Sequence, residues 1–257
     1  MAVHLACNSL RSGECQTAIV GGVKYTLLPE KAERSGEITV ASADGRTRTF
    51  DVNADGTNPG EGVGVVILKP LCRAQEDKDH IYAVIKGSAV NQDGASVGIT
   101  APNAAAQEAV IVKAWENAGI DPEKVSYMEA HGTATKLGDP VEVSGIERAF
   151  RRYTDKKQFC AIGSVKTNLG HLDCAAGIVG LIKCVLSLTH KMLPPQLYFT
   201  SPNREIDFIA SPVYVNDRQT DTVGDRRGST NLRRQLLRTQ RNKLPCGLTG
   251  IQRRAGR

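Results

Sequence analysis

Gly163-Ser-Val-Lys-Thr-Asn-Leu-Gly-His-Leu-Asp-Cys-Ala-Ala-Gly177 is the stretch on which the reading of the fold turns. An apolar run from Phe159 to Val165 ends there in a polar turn carrying Lys166 and His171. The following run, Cys174 to Leu188, is small and apolar enough for a buried helix. A strand that delivers polar groups at its carboxyl end, with a helix leaving at once, is how open parallel sheets present functional side chains. The chain repeats the pattern 40 residues upstream, where Val125-Ser-Tyr-Met-Glu-Ala130 runs into His131-Gly-Thr-Ala-Thr135. Two histidines at two strand ends predict one shared pocket.

Outward from these stretches, strands and helices alternate. Ile81 to Val90 is strand-like. Asn103 can cap a helix that runs through Asn117 to Gly119, with Val110, Ile111, Ala114, Trp115 and Ala118 on its apolar side. Asp139-Pro-Val-Glu142 reads as a helix start, with Asp as N-cap and Glu at the capping-box position. Helices of this length between strands predict a parallel sheet with right-handed crossovers. Upstream, residues 2–12 read as a helix stopped by Gly13, and Thr17-Ala-Ile-Val20 as a short strand ending at Gly21-Gly22. Residues 24–60 read as a polar loop region. Gly60-Glu-Gly-Val-Gly64 precedes a strand over 65–69 instead of following one and opens no helix. It therefore predicts close backbone approach and not a phosphate cradle.

Charge is unevenly spread. Residues 218–257 hold 11 Lys+Arg against 2 Asp+Glu, a net of +9, leaving 22 against 25 and a net of −3 for residues 1–217. The tail lacks apolar periodicity and is expected to be disordered. It has no aromatic residue to stack on bases, so nucleic acid is not an expected partner. No membrane span is expected, because the Cys174–Leu188 run is short and interrupted by Lys183. The N-terminus has no signal-peptide pattern, so the expected location is cytoplasmic. The 7 cysteines, at scattered spacings, form neither a disulfide framework nor a zinc set.

A single histidine at a strand end is more often a core residue than a functional one. Two at successive strand ends, with Lys166 beside one, suit a different role: paired N–H donors stabilising an enolate or tetrahedral oxyanion. The lysine would set the field and the protonation of one ring. Such a pair needs a nucleophile. Cys174 lies at a helix start, where a thiolate is favoured. It also fits the small-residue helical surface of Ala175, Ala176 and Gly177, and both readings stand.

Several segments closely resemble the ketosynthase (beta-ketoacyl synthase) domain of type I modular polyketide synthases. They are Glu129-Ala-His-Gly-Thr133, Gly163 to His171, Asp173-Cys-Ala-Ala-Gly177, Leu10-Arg-Ser-Gly-Glu-Cys15, Thr49-Phe-Asp51, Gly60-Glu-Gly-Val-Gly64, Gly87-Ser-Ala-Val-Asn-Gln-Asp-Gly94 and Thr100-Ala-Pro-Asn103. The resemblance spans about residues 2–217 in unbroken register. It implies an incomplete α/β thiolase-like fold: the end of the first half over 1–80 and the second half over 81–217, followed by the unrelated tail.

The resemblance also implies a Cys-His-His chemistry of acyl transfer and decarboxylative Claisen condensation on carrier-protein thioesters. His131 and His171 are then the two histidines and Lys166 their support. Phe50, Asp51, Glu61 and Thr133 to Thr135 match loops beside the pocket. No metal or redox cofactor is implied, since the phosphopantetheine arm belongs to an acyl carrier protein. That carrier and a second ketosynthase chain, as homodimer, are the implied partners. The family's Asp-Thr-Ala-Cys-Ser-Ser-type turn, which carries the nucleophile, is not in this sequence, and Cys7 matches a later helix position. The Phe-Gly-Gly-Thr-Asn segment expected after residue 217 is absent too, and Asn58-Pro59 replaces the usual residues before Gly-Glu-Gly. The expectation is a C-terminal ketosynthase fragment, its last 40 residues the product of a frameshift, inactive alone. The alternative is a non-catalytic partner that complements or dimerises with another ketosynthase chain.

Overall fold

Alternating side chains on the central strands divide the interior into two cores. The structure, a computed structural model, describes residues 1–27, 41–94 and 102–217, together with the backbone of short strands at 220–221, 236–238 and 246–249. Thr100 and Ala101 of the Thr-Ala-Pro-Asn motif lie outside the described residues, as does most of the tail. The elements up to residue 76 are α1 (Ala2–Ser12), β1 (Ala18–Lys24), β2 (Gly62–Leu68) and α2 (Leu71–Glu76). Then come β3 (Val84–Ser88), α3 (Ala104–Ala118), β4 (Tyr127–Glu129), α4 (Gly138–Arg151), β5 (Cys160–Gly163), α5 (Lys166–Leu169) and α6 (Asp173–His190). β6 (Met192–Leu193), β7 (Val213–Val215), β8 (Thr220–Asp221), β9 (Leu236–Arg238) and β10 (Cys246–Thr249) complete the order.

β4, β5 and β7 run parallel in a six-stranded sheet of order β3-β10-β9-β4-β5-β7. Met128 and Ile162 face one side, joining Ile111 and Trp115 of α3 with Ile146 and Phe150 of α4. Tyr127 and Ala161 face the other, joining Ala175, Ile178, Leu181 and Cys184 of α6 with Val3 and Cys7 of α1. Asn103 caps α3 as expected, accepting from the N–H groups of Ala105 and Ala106. The expected boundary near residue 80 falls between α2 and β3.

β1 and β2 form an antiparallel hairpin whose inner face lies on α6. Both strands are longer than the pattern predicts, because their glycines are contact points and not turns. A Cβ on Gly22 would lie 2.7 Å from the Cys174 carbonyl oxygen, and one on Gly64 would lie 2.8 Å from Ile178. The outer face carries Ile19, Val23, Val63, Val65 and Ile67, all more than half exposed. Covered on one side by the hairpin and on the other by the sheet, α6 has the length and hydropathy of a membrane span, contrary to the expectation from the shorter Cys174–Leu188 run. Its apolar character is accounted for by packing on two sides.

Within residues 218–257 the described residues are those of β8, β9 and β10. β9 pairs parallel to β4, and β10 pairs antiparallel to β3. The facing edges of β3 and β4 present ladder groups that must be paired, and a short segment satisfies them without any long-range apolar pattern.

Asp139 also departs from its expected role. It lies within the first turn of α4 and reaches away from its own helix. Oδ2 accepts the Phe50 N–H at 2.8 Å, and Oδ1 accepts the Ala134 N–H at 3.0 Å. The helix entry is held instead by Thr135 Oγ1, which accepts the Gly138 N–H at 3.0 Å. Burial pushes the Asp139 carboxyl up to about 7, against amide hydrogen bonds that favour the anion and with Glu142 adding to the rise.

Two outcomes are expected. Between about pH 4 and about 7 the folded chain keeps a proton on Asp139 that the unfolded chain has released. This group's contribution to stability therefore declines as pH rises through that window and is constant above it. The difference between urea midpoints at about pH 5 and about pH 8 should shrink in Asp139→Asn. Separately, a Cβ on Gly60 would lie 1.9 Å from the Leu169 carbonyl oxygen. Gly60→Ala should therefore cost about 2 kcal/mol in urea unfolding.

Candidate active site

His131 follows β4 directly, in a loop held by a carboxylate from the next helix. Glu142 of α4 is buried, and its Oε1 accepts the His131 N–H at 2.6 Å while Oε2 accepts the Gly132 N–H at 2.8 Å. The expected capping-box role is thus replaced by a clamp on a neighbouring loop. Thr49 Oγ1 donates to the Gly132 carbonyl at 2.8 Å, and the Gly132 φ of 49° suits glycine there. Ala134, with φ 56°, is a non-glycine residue in the same region, held by Asp139. Left-handed non-glycine residues cost about 1 kcal/mol or more and persist where surrounding structure over-determines them.

His171 sits just beyond α5, and its backbone is held by the segment before β2. The His171 N–H donates to the Asn58 carbonyl at 2.6 Å, and the Gly60 N–H donates to the His171 carbonyl at 3.1 Å. This is the close backbone approach that Gly60 predicts. The ring accepts at Nδ1 from the Asp173 N–H at 2.9 Å. Asp173 Oδ1 lies 3.1 Å from the same nitrogen. The backbone hydrogen has a fixed direction, so Nδ1 of the neutral ring is the acceptor and its proton sits on Nε2.

Lys166, at the start of α5, is buried. Its Nζ donates to the His131 carbonyl at 2.5 Å and stands 3.4 Å from His131 Nδ1. An ammonium has only donors, so Nδ1 of His131 is again the acceptor side and Nε2 carries the hydrogen. The two rings meet edge to face, with centroids 5.4 Å apart and planes at 81°. Both neutral imidazoles therefore have their N–H at Nε2.

The remaining expected residues differ in burial and partners. Phe50 is fully buried with φ 67°, its N–H on Asp139 and its carbonyl accepting from the Asn203 N–H at 2.8 Å. Asp51 is also fully buried. Its carboxylate accepts from the backbone N–H groups of Asn53, Thr200 and Ser201 and from the Thr200 hydroxyl. Burial alone would raise its pKa, but these hydrogen bonds together outweigh it and hold the carboxyl below its usual value. Thr133 Oγ1 and Thr135 Oγ1 lie 3.3 Å apart in the loop after His131. Glu61 has an exposed side chain whose Oε1 accepts the Thr26 N–H at 2.7 Å, so what this stretch brings to His171 is backbone. Cys174 is exposed in the first turn of α6, whereas Cys7 is buried in the core, where burial pushes its thiol up.

Reading the residues one by one misses Glu129 and Lys183. Glu129 Oε1 accepts the Val165 N–H at 2.6 Å, and Oε2 receives the Tyr127 hydroxyl at 2.6 Å and Lys183 Nζ at 2.8 Å. The available signal was a charge inside each of two apolar runs, Tyr-Met-Glu-Ala and Leu-Ile-Lys-Cys. Buried charges call for partners.

The chain is similar to known proteins over most of its length. The beta-ketoacyl synthase N-terminal domain model matches residues 1–74, and the C-terminal domain model matches residues 82–200. Polyketide synthase PksL of Bacillus subtilis is 51% identical over 86% of this chain, which spans 5% of that protein. A phenolphthiocerol/phthiocerol polyketide synthase of Mycobacterium tuberculosis is 50% identical over 85% of the chain, which spans 15% of it. Among solved structures, the ketosynthase from module 6 of the bacillaene synthase of Bacillus subtilis is 42% identical with a TM-score of 0.89. That match covers 97% of this chain and 45% of the ketosynthase. An oxazolomycin ketosynthase domain of Streptomyces albus gives 36% identity and a TM-score of 0.89, covering 99% of this chain and 46% of that one. The chain has the thiolase-like α/β fold of these ketosynthases and belongs to the beta-ketoacyl synthase family of condensing, acyl-transferring enzymes, among the ketosynthase domains of polyketide synthases.

Proposed function

We propose that this chain is the C-terminal portion of a ketosynthase and supplies the oxyanion side of a condensing site. The observation that carries this reading is the edge-to-face pair of His131 and His171, each with a donor facing its Nδ1, which in the neutral ring leaves the N–H on Nε2. In decarboxylative condensation the bond to the carboxylate of a malonyl-type thioester breaks and CO2 leaves. The electron pair passes into an enolate, whose oxygen the two Nε2–H groups stabilise. The enolate carbon then attacks an acyl thioester on a cysteine, and the thiolate departs. Lys166, bound to the His131 carbonyl, keeps positive charge beside that anion.

On this reading the attacking sulfur comes from outside residues 1–257. Cys7, Cys160 and Cys184 are buried, and among the described residues Cys174 is the exposed cysteine near the pair in sequence. Alone, the chain should therefore not condense. The substrates would arrive on the phosphopantetheine of a cytoplasmic acyl carrier protein, with no metal or redox cofactor.

A second reading, complementation by another ketosynthase chain, is favoured by the uncovered outer face of the β1–β2 hairpin. Five large aliphatic side chains on one face of a two-stranded sheet form the kind of patch that marks an interaction surface. The solved relatives are more than twice as long, so they contain additional structure able to cover it.

The purified chain, given acyl- and malonyl-carrier-protein thioesters, is expected to form neither acyl-enzyme nor condensed product. Turnover by the chain alone would overturn this. If it appeared, its abolition in Cys174→Ala would place the nucleophile there. Adding a chain that carries the first half of a ketosynthase should restore condensation. In that mixture His131→Ala or His171→Ala should each lower the rate about a hundredfold or more. Val65→Lys should prevent co-purification of the two chains.

A further inference from the structure

Glu129 lies two residues before His131, at the end of β4, and its side chain reaches across to the turn that follows β5. There it accepts the Val165 N–H at 2.6 Å, one residue before Lys166. Its other oxygen receives Lys183 Nζ from α6, the helix that begins two residues after His171, and the Tyr127 hydroxyl. Lys183 Nζ also donates to the Tyr127 oxygen at 2.7 Å. One buried carboxylate thus joins the three elements that lead to His131, Lys166 and His171. Space around it is tight: a Cβ on Gly163 would lie 2.8 Å from the Tyr127 hydroxyl.

We propose that Glu129 is a positioning residue: by accepting the Val165 N–H it holds the Lys166 turn against His131 and so fixes which ring nitrogen carries the proton. The chain of contacts is short. Glu129 fixes the Val165 peptide, the next residue is Lys166, and Lys166 Nζ meets both the carbonyl and Nδ1 of His131. If the Val165 N–H were released, the turn could move away and Nδ1 would lose the donor that makes it the acceptor. Lys183 and Tyr127 complete the role by filling the second oxygen, since a buried carboxylate with an unmet oxygen is costly. Burial, with Glu129 alongside, drives the Tyr127 pKa well above its ordinary value, so the phenol keeps the proton it donates.

This inference rests on reading His131 as an oxyanion donor, yet its test needs no turnover. A full-length chain that fails to condense leaves it standing, and failure here leaves the condensation assay unaffected. The test compares two uncharged variants of similar volume, Glu129→Leu/Lys183→Met and Glu129→Gln/Lys183→Met. Replacing a buried ion pair by neutral groups of like size is often tolerated. Only the glutamine variant retains an acceptor for the Val165 N–H. In 15N-histidine NMR spectra of the neutral ring, wild type should show distinct Nδ1 and Nε2 signals for His131. The glutamine variant should keep them, and the leucine variant should lose the separation as the tautomers exchange.

Retention of the separate signals in a folded leucine variant would overturn the proposal. Equal loss in both variants would overturn it too, because charge and not the hydrogen bond would then be the cause. If the leucine variant does not fold, hydrogen exchange of the wild-type Val165 amide decides. Strong protection supports the bond to Glu129, and exchange at the rate of an exposed loop amide sinks the proposal.

Discussion

Buried carboxylates that accept backbone N–H groups hold this site together. His131, Lys166 and His171 sit on loops and a single short helical turn beyond the ends of strands, where ladder hydrogen bonds have stopped. Loop amides removed from water must find acceptors. Four carboxylates supply them: Glu142 to His131 and Gly132, Asp139 to Phe50 and Ala134, Asp51 to Asn53, Thr200 and Ser201, and Glu129 to Val165. Each bond answers two costs at once, an orphaned donor and a desolvated acid.

The same requirement explains why non-glycine residues adopt left-handed conformations around the histidines. Phe50 has φ 67° and Ala134 φ 56°, and both donate their N–H to Asp139. A carboxyl group with two well-aimed oxygens fixes two segments from distant parts of the chain, so neither can relax alone. Thr49 adds a bond to the Gly132 carbonyl and Asn203 one to the Phe50 carbonyl. The loop bearing His131 is thereby tied to segments before β2 and after β6. The geometry of the two rings is inherited from packing far from either of them.

Close backbone contact supplies the other constraint, on the side of His171. Gly60 lies against Leu169, Gly62 against Leu172, Gly64 against Ile178 and Gly22 against Cys174. With glycines at these points among Val20, Val66 and Leu68, the β1–β2 pair settles closely on α6, and Asn58 and Gly60 can exchange hydrogen bonds with the His171 backbone. Asn58-Pro59, where the family resemblance differs, meets His171 through the Asn58 carbonyl.

Much of this was legible one residue at a time. Periodicity and caps placed α1, α3 and α6, and the two polar turns after β4 and β5 named His131, His171 and Lys166 before any geometry was known. Asp139 and Glu142 were read as caps of their own helix because local spacing is all that a cap pattern contains. Their partners are residues such as Phe50, 89 positions from Asp139, and no local pattern records such a distance. Lys183 reads as an interruption of an apolar run, and Glu129 as part of the segment before His131, for the same reason. The amino-acid order by itself determined which segments become strands and helices and which turns carry imidazole and ammonium groups, since those follow from side-chain alternation and short-range hydrogen bonding. Only the tertiary structure decided that the two rings meet at 5.4 Å and which nitrogen of each faces a partner. Those depend on buried charges finding acceptors and donors across the fold, a balance of desolvation against hydrogen bonding that exists only once the segments are packed together.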